Sequence, residues 1–202
     1  PGKKVLIGRL YYSGCTMPMH AQHATGNEKI YDYYKIDTTS SSSAWNLTKS
    51  CSILDALEDE TWDIVGMQQQ NEQNGIEGSW NATAFKTGIN HIYDNQPVKP
   101  KLLWQMLWVN PDDYSRYIGT NAPLAHPSAD WYKTYYETNF PGADGKYDHQ
   151  VLYNKIVTLT QQKLVNSNDF LGQAYFDGII PAATTVEYAL DVLKRPQHEM
   201  FR

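Results

Sequence analysis

Short apolar runs and longer amphipathic stretches alternate along the chain. The apolar runs are rich in β-forming residues and end in turn-forming or amide residues, so each predicts a strand. The predicted strands cover residues 5–12, 62–67, 102–106 and 176–181. Apolar residues at helical spacing predict helices over residues 52–60, 81–93, 148–165 and 183–193. Strand followed by helix, repeated, predicts an α/β fold with a central parallel sheet and helices on both faces.

Three segments do not fit this alternation. Residues 19–34 show only weak helical spacing, and the Ser-rich residues 37–44 predict a surface loop or hairpin turn. Residues 109–145 are rich in Pro, Gly, Asn and Tyr and predict a long insertion or lid. Loops of that length within a compact domain are commonly functional. We therefore predict a single domain over residues 1–202, with residues 109–145 outside its core.

The end of the first predicted strand carries candidate chemistry, because ligands of parallel α/β sheets bind beyond the carboxyl ends of the strands. Ser13 and Cys15 are two nucleophile types, and the amide of Gly14 can approach a ligand closely. His20 and His23 follow at a spacing that suits a local thiol–imidazole pair or a metal on a helix. The alternative is a packed cysteine beside exposed or hydrogen-bonded imidazoles. No metal or cofactor is predicted, because the two histidines have no further ligand at suitable spacing.

The end of the second predicted strand carries three consecutive glutamines. The side-chain amides of Gln68, Gln69 and Gln70 are neutral donors of the kind that hold an oxyanion. The alternative is a polar loop that caps a helix. Farther along, Asp148 and His149 are adjacent, and adjacent residues do not face each other on a helix. They therefore predict a helix start with a solvent-facing pair rather than a catalytic dyad.

Composition narrows the classes of function. The net charge of −5 and the absence of a basic run argue against nucleic acid as a partner. No apolar run is long enough for a membrane span. The 15 Tyr and 6 Trp side chains combine an apolar ring with a polar group, which suits sugar-like ligands. The alternative is that many of them fill a hydrated core and its rim. The two cysteines are too few for a disulfide scaffold, and the sequence does not decide whether they pair. It does not decide the cellular compartment either, although a removed targeting segment would favour a secreted or periplasmic location.

An ordered set of short segments carries a resemblance to a known superfamily. The segments cover residues 7–16, 44–45, 54–57, 60–69, 103–108 and 179–182. Together they resemble an uncharacterised bacterial branch of the SGNH (GDSL-type) hydrolase superfamily, which bears only the description of a domain of unknown function. The resemblance spans most of the chain, and it implies a three-layer α/β/α sandwich of the flavodoxin-like kind.

The resemblance also implies an ester hydrolase, with an acyl ester, plausibly of a carbohydrate, as substrate. It places the amide of Gly14 and the side chain of Gln69 in an oxyanion hole. The substrate side would be lined by Gln68, Gln70, Trp104, Gln105 and Trp108.

The superfamily's other two blocks, a Gly-Asp-Ser or Gly-Asn-Ser turn and a terminal Asp-x-x-His, do not occur in residues 1–202. We therefore expect a domain that is incomplete at both ends and lacks its first, central strand, which a complementing segment or a second copy would supply. The alternative functions are a non-catalytic carbohydrate-binding protein on the same fold, and a thiol or metal enzyme built on Cys15, His20 and His23.

Overall fold

The structure, a computed structural model, describes residues 4–38, 44–70, 72–107, 129–166 and 168–185. The strands within these ranges are β1 (Leu6–Tyr11), β2 (Tyr31–Asp37), β3 (Asn46–Cys51), β4 (Ile64–Met67), β5 (Lys101–Gln105) and β6 (Gly178–Ile180). The α-helices are α1 (Met17–Gly26), α2 (Ile53–Glu58), α3 (Ala82–Asp94), α4 (Ala129–Asn139) and α5 (His149–Thr160). Strands β4, β5 and β6 form a parallel sheet in that order, which confirms the predicted α/β class and is consistent with an α/β sandwich.

A second sheet, which the sequence did not predict, has the order β1-β2-β3 and is antiparallel. The weak helical spacing of residues 19–34 ends at Gly26, where Asn27 adopts a left-handed conformation with φ of 48°. Asparagine tolerates this conformation and commonly ends helices. The chain then extends into β2, so the expectation of weak helix beyond residue 26 is wrong. The Ser-rich stretch connects β2 and β3, which pair with each other as a predicted hairpin would.

Polar side chains cap the starts of the helices α2, α3 and α5. The Ser52 hydroxyl accepts from the Asp55 amide at 3.1 Å, and the Asp55 carboxylate accepts from the Ser52 amide at 2.9 Å, which completes a capping box before α2. Asn81 accepts from the Ala84 amide at 2.9 Å before α3. Asp148 accepts from the Gln150 amide at 2.8 Å, so its carboxylate caps α5. His149 is half-buried, which corrects the expectation of a solvent-facing pair.

The chain divides into two compact units, and the first comprises residues 1–70, 81–103 and 175–177. Helices α1 and α3 pack together in this unit, and Gly88 of α3 allows the Met67 and Met17 side chains to come close to the helix. The indole of Trp62 lies against Gly8 of β1, where a Cβ atom would be only 2.7 Å from the ring. Strand β1 was expected to be buried, but most of its residues are exposed.

The second unit comprises residues 71–80, 104–174 and 178–202. Its core is aromatic: the Tyr136 and Tyr147 rings lie 4.9 Å apart, and Phe140 is fully buried beside them. Gly75 packs so closely on this core that a Cβ atom would lie 2.6 Å from Leu152 Cδ1. Residues 129–145 therefore contribute a helix and buried rings, which corrects the expectation that they lie outside the core.

Several expectations fall on residues outside the described ranges. They concern Trp108, most of the predicted lid (residues 109–128) and the part of the last predicted helix beyond residue 185. Residues 182–185, at the start of that helix, are helical. Among the helices of the described ranges, none combines the length and the apolar character that a membrane crossing requires.

Candidate functional site

The turn after β1 is the part of the first unit that the sequence singled out. Gly14 adopts a left-handed conformation with φ of 69°. Apart from its chain neighbours, no described residue lies within 4 Å of the position a Cβ atom would take. A residue with a side chain would be strained there, although it would have room. The next residues enter α1, where the Thr16 hydroxyl accepts from the Met19 amide at 3.4 Å. Gly14 is therefore held in an open turn at the start of a helix.

A backbone hydrogen bond connects this turn to the glutamine segment after β4. The Gln70 amide donates to the Cys15 carbonyl over 2.9 Å, so two segments about 55 residues apart in sequence lie side by side. The three glutamines differ in exposure: Gln68 is exposed, Gln70 is half-buried, and the side chain of Gln69 is only 1% exposed. The two predicted oxyanion segments thus meet within one compact unit.

A cluster of polar side chains surrounds the phenol of Tyr31 beside the same turn. The Tyr31 hydroxyl lies 2.8 Å from Nδ1 of His20, 3.0 Å from Nδ1 of His23 and 3.8 Å from Sγ of Cys15. The His20 ring stacks on the Tyr31 ring at 5.8 Å, and Tyr12 contacts the rings of His23 and Tyr31 edge-on. We call Cys15, His20, His23 and Tyr31 the Tyr31 cluster.

Burial dominates the electrostatics of the Tyr31 cluster. Desolvation, reinforced by His23, lowers the pKa of His20 to about 4, so this imidazole is neutral at pH 7. Desolvation raises the pKa of Cys15 to about 11, although the hydrogen bond to Tyr31 opposes the effect. Burial, followed by the neighbouring Cys15, raises the pKa of Tyr31 well above its ordinary value.

These shifts argue against the thiol nucleophile considered for Cys15, because a thiolate is the reactive form and burial disfavours it. Cys15 and Cys51 are both buried and free, so they do not form a disulfide. No group of three or more His, Cys, Asp or Glu residues suited to a metal ion occurs within the described part of the chain. The arrangement instead offers neutral hydrogen-bond donors and acceptors next to an open glycine turn.

The predicted substrate-lining residues of the third strand lie in the second unit. Trp104 is 0% exposed, and its ring packs on Trp80 at a centroid distance of 5.5 Å. It is a core residue of that unit and has no surface for a ligand there. Gln105 is half-buried at the end of β5. Their predicted contacts with a substrate therefore remain predictions that the geometry does not strengthen.

Tyr31 is the member of the cluster that the sequence did not indicate. It lies in a run of alternating residues in which Tyr31 and Tyr33 are buried, a pattern that indicates only a half-buried strand. Its three polar partners come from the preceding turn and helix, and no local motif predicts that they converge.

Comparisons with known proteins identify a family but no activity. Residues 1–109 match the DUF4886 family, described as a domain of unknown function. A crystal structure of a DUF4886 family protein from Bacteroides uniformis ATCC 8492 is similar, with a TM-score of 0.65 and 22% sequence identity. The similarity covers 91% of this chain and 58% of that one, so this chain spans little more than half the length of that protein. No curated protein matches at a significant level. Because the family match covers more than half of the chain, the chain belongs to the DUF4886 family.

Proposed function

We propose that residues 1–202 form part of an SGNH-type ester hydrolase domain that acts on an acyl group, plausibly on a carbohydrate. The turn at Gly14 and the segment at Gln69 would hold the oxyanion of the tetrahedral intermediate. The serine nucleophile and the histidine base would come from polypeptide outside residues 1–202.

The observation that supports this proposal is the hydrogen bond between the Gln70 amide and the Cys15 carbonyl, at 2.9 Å. An oxyanion hole needs donors from separate chain segments aimed at one point, and they must be fixed before the reaction begins. This bond fixes the glutamine segment against the glycine turn. Gly14 is also open to an incoming group, because its Cβ position has no atom within 4 Å from any described residue other than Gly14 and its two chain neighbours.

Within the described residues, β1 and β4 each have an edge that no other strand pairs with, which supports the idea that another strand completes the domain. The Thr38 amide donates to the Val5 carbonyl, so the backbone N–H and C=O groups of the odd-numbered β1 residues point toward β2. The backbone groups of Leu6, Gly8 and Leu10 therefore point to the opposite edge. The Lys101 amide bonds the Asp63 carbonyl of the segment entering β4. By the same alternation, the backbone groups of β4 residues 64 and 66 point away from β5.

Contacts near both ends of β1 and β4 indicate that the two strands run in the same direction. Near their starts, Trp62 just before β4 reaches Gly8 of β1 with its ring. Beyond their ends, Gln70 bonds Cys15. No backbone hydrogen bond joins β1 to β4 among the described residues, and Ile64 is 54% exposed. A single parallel strand inserted here would satisfy both edges, which otherwise carry unpaired backbone groups.

Hydrolysis of p-nitrophenyl acetate tests the proposal. We expect no turnover above background from residues 1–202, and turnover from a version extended at both ends along its gene. An extended, folded protein without esterase activity would contradict the proposal. Turnover by residues 1–202 that disappears in Cys15→Ala would instead favour a thiol enzyme.

A matched pair of variants in the extended protein tests the oxyanion assignment. Gln69→Leu removes the amide donor and should lower kcat by about 10²–10³, the usual cost of removing one oxyanion donor. Gln22→Leu is the control, because Gln22 is an exposed glutamine of α1 outside the proposed site and the substitution should leave kcat unchanged. Equal effects of the two substitutions would remove Gln69 from the oxyanion hole.

Carbohydrate binding without catalysis is a second candidate, favoured by the exposed aromatic rings of Tyr11, Tyr12 and Trp45 in the first unit. Such rings suit the apolar faces of sugars. Calorimetric binding of oligosaccharides without turnover, by an extended chain that has no Gly-x-Ser turn, would support this function in place of hydrolysis.

A further inference from the structure

The Tyr31 hydroxyl has three polar neighbours but only one proton to donate. A phenol oxygen donates one hydrogen bond and accepts up to two. Its neighbours are Nδ1 of His20, Nδ1 of His23 and Sγ of Cys15. A neutral imidazole carries its proton on one nitrogen, and the other nitrogen is an acceptor. The positions of the protons in this cluster are therefore constrained by counting donors and acceptors.

Two arrangements satisfy the phenol. In the first, Tyr31 donates to one imidazole, while the other imidazole donates from Nδ1 to Tyr31. In the second, both imidazoles donate from Nδ1 and Tyr31 donates to the Cys15 sulfur. The first is favoured, because sulfur is a weak acceptor and the thiol distance is 3.8 Å, whereas the imidazole nitrogens lie at 2.8 and 3.0 Å. Either imidazole can be the acceptor, and the state described first below takes His20 as the acceptor.

We propose that His20, Tyr31 and His23 form a proton relay in which the two imidazoles hold opposite tautomers. In one state, Tyr31 donates to Nδ1 of His20, which carries its proton on Nε2, and His23 donates from Nδ1. In the other state, both bonds are reversed. This site is distinct from the proposed oxyanion donors, and the proposal does not rest on ester hydrolysis.

The exchange between the two states conserves protons and charge. Nε2 of His23 first takes a proton from water. The Nδ1 proton of His23 then moves to the Tyr31 oxygen as the Tyr31 proton moves to Nδ1 of His20, and Nε2 of His20 releases its proton to water. The net result is transfer of one proton from the side of His23, which is 6% exposed, to the half-buried His20. Because the two protons move together, the buried phenol never becomes a phenolate, whose formation burial disfavours.

Nitrogen-15 NMR of the histidine rings tests this directly in residues 1–202. Two-bond proton–nitrogen correlations at pH 7 identify which ring nitrogen of each histidine carries the proton. We expect opposite tautomers, with Nε2–H for His20 and Nδ1–H for His23 or the reverse, or an exchange average of these two states. The same tautomer on both rings, or a charged ring at pH 7, would overturn the proposal.

Variants separate the relay from its alternatives. Tyr31→Phe should remove the Nδ1–H tautomer of His23, while Tyr33→Phe, on the same strand with its hydroxyl bonded to Asp59 at 2.8 Å, should leave both rings unchanged. Cys15→Ala should also leave the tautomers unchanged. A change in Cys15→Ala would show that Tyr31 donates to the sulfur, which overturns the relay. If Tyr31→Phe does not fold by circular dichroism, the wild-type spectrum and Cys15→Ala decide.

Discussion

Acidification should destabilise the first unit through His20, before most carboxylates protonate. Burial, with a contribution from His23, lowers the pKa of His20 from 6.5 to about 4 in the folded chain. The unfolded chain therefore binds a proton as pH falls below 6.5, while the folded chain binds it only near pH 4. Stability from this group is complete above pH 6.5, is lost between pH 6.5 and 4, and changes no further below that.

The magnitude follows from the size of the shift. One pKa unit corresponds to ~1.4 kcal/mol, so this shift makes a loss of roughly 3 kcal/mol between pH 6.5 and 4. That is a large fraction of the roughly 5–15 kcal/mol by which domains are typically stable. His20 is half-buried rather than exposed, so solvent screening does not cancel the effect.

The assay is urea unfolding at several pH values for the wild type and for His20→Gln. The wild type should lose stability steeply from pH 6.5 to 4, and His20→Gln should lose about 3 kcal/mol less over the same interval. Asp55 and Asp59, whose pKa values lie below the ordinary range, contribute equally to both proteins and cancel in the difference. Parallel pH profiles for the two proteins would refute the reasoning and would mean that His20 is solvated in solution.

Three further substitutions or reactions give measurable outcomes. Gly75→Ala should lower the free energy of unfolding in urea by about 1–3 kcal/mol, because a Cβ atom would meet Leu152 and Phe140. Gly78→Ala is the control, since a Cβ atom there has open space, and it should change stability little. Equal effects of the two substitutions would contradict the close packing at Gly75. Ser52→Ala removes the cap of α2 and should cost about 1 kcal/mol, measured in the same way. Iodoacetamide should label Cys15 in Cys51→Ala about a hundredfold more slowly at pH 8 than a thiol of ordinary pKa, since only the thiolate reacts; rapid labelling by mass spectrometry would show that the thiol is accessible.

The parts of the fold that the sequence predicted are those set by local chemistry. The capping residues Ser52, Asn81 and Asp148 identify helix starts because their side chains bond amides only two or three residues away. Strands β4 to β6 were predicted because they are short apolar runs.

Strand β3 could not be predicted in this way. Its sequence, NLTKSC, is polar and mostly exposed, and it is a strand because β2 pairs with it. That pairing depends on residues on the far side of a loop, so no local periodicity records it.

The residues of the candidate site also fall into two groups, those that the local sequence predicts and those that it does not. Gly14 and the glutamines were selected because each follows a predicted strand, and their proximity could be expected only from a shared sheet edge. The Tyr31 cluster could not be predicted, because it depends on the burial of one phenol among partners from a turn and a helix. Burial also determines which of these groups is charged, and a sequence does not specify that.

The edge of β1 opposite β2, which no strand of the described residues covers, has a consequence for how the isolated chain behaves at high concentration. Exposed strand edges are templates for pairing with other molecules, and natural proteins guard them with lysines, prolines or bulges. Among the residues of β1, Arg9 is the charged one, and Ile7 and Tyr11 are exposed beside it. Residues 1–202 should therefore self-associate into β-rich aggregates as the protein concentration rises, so the purified chain should stay monomeric only at low concentration.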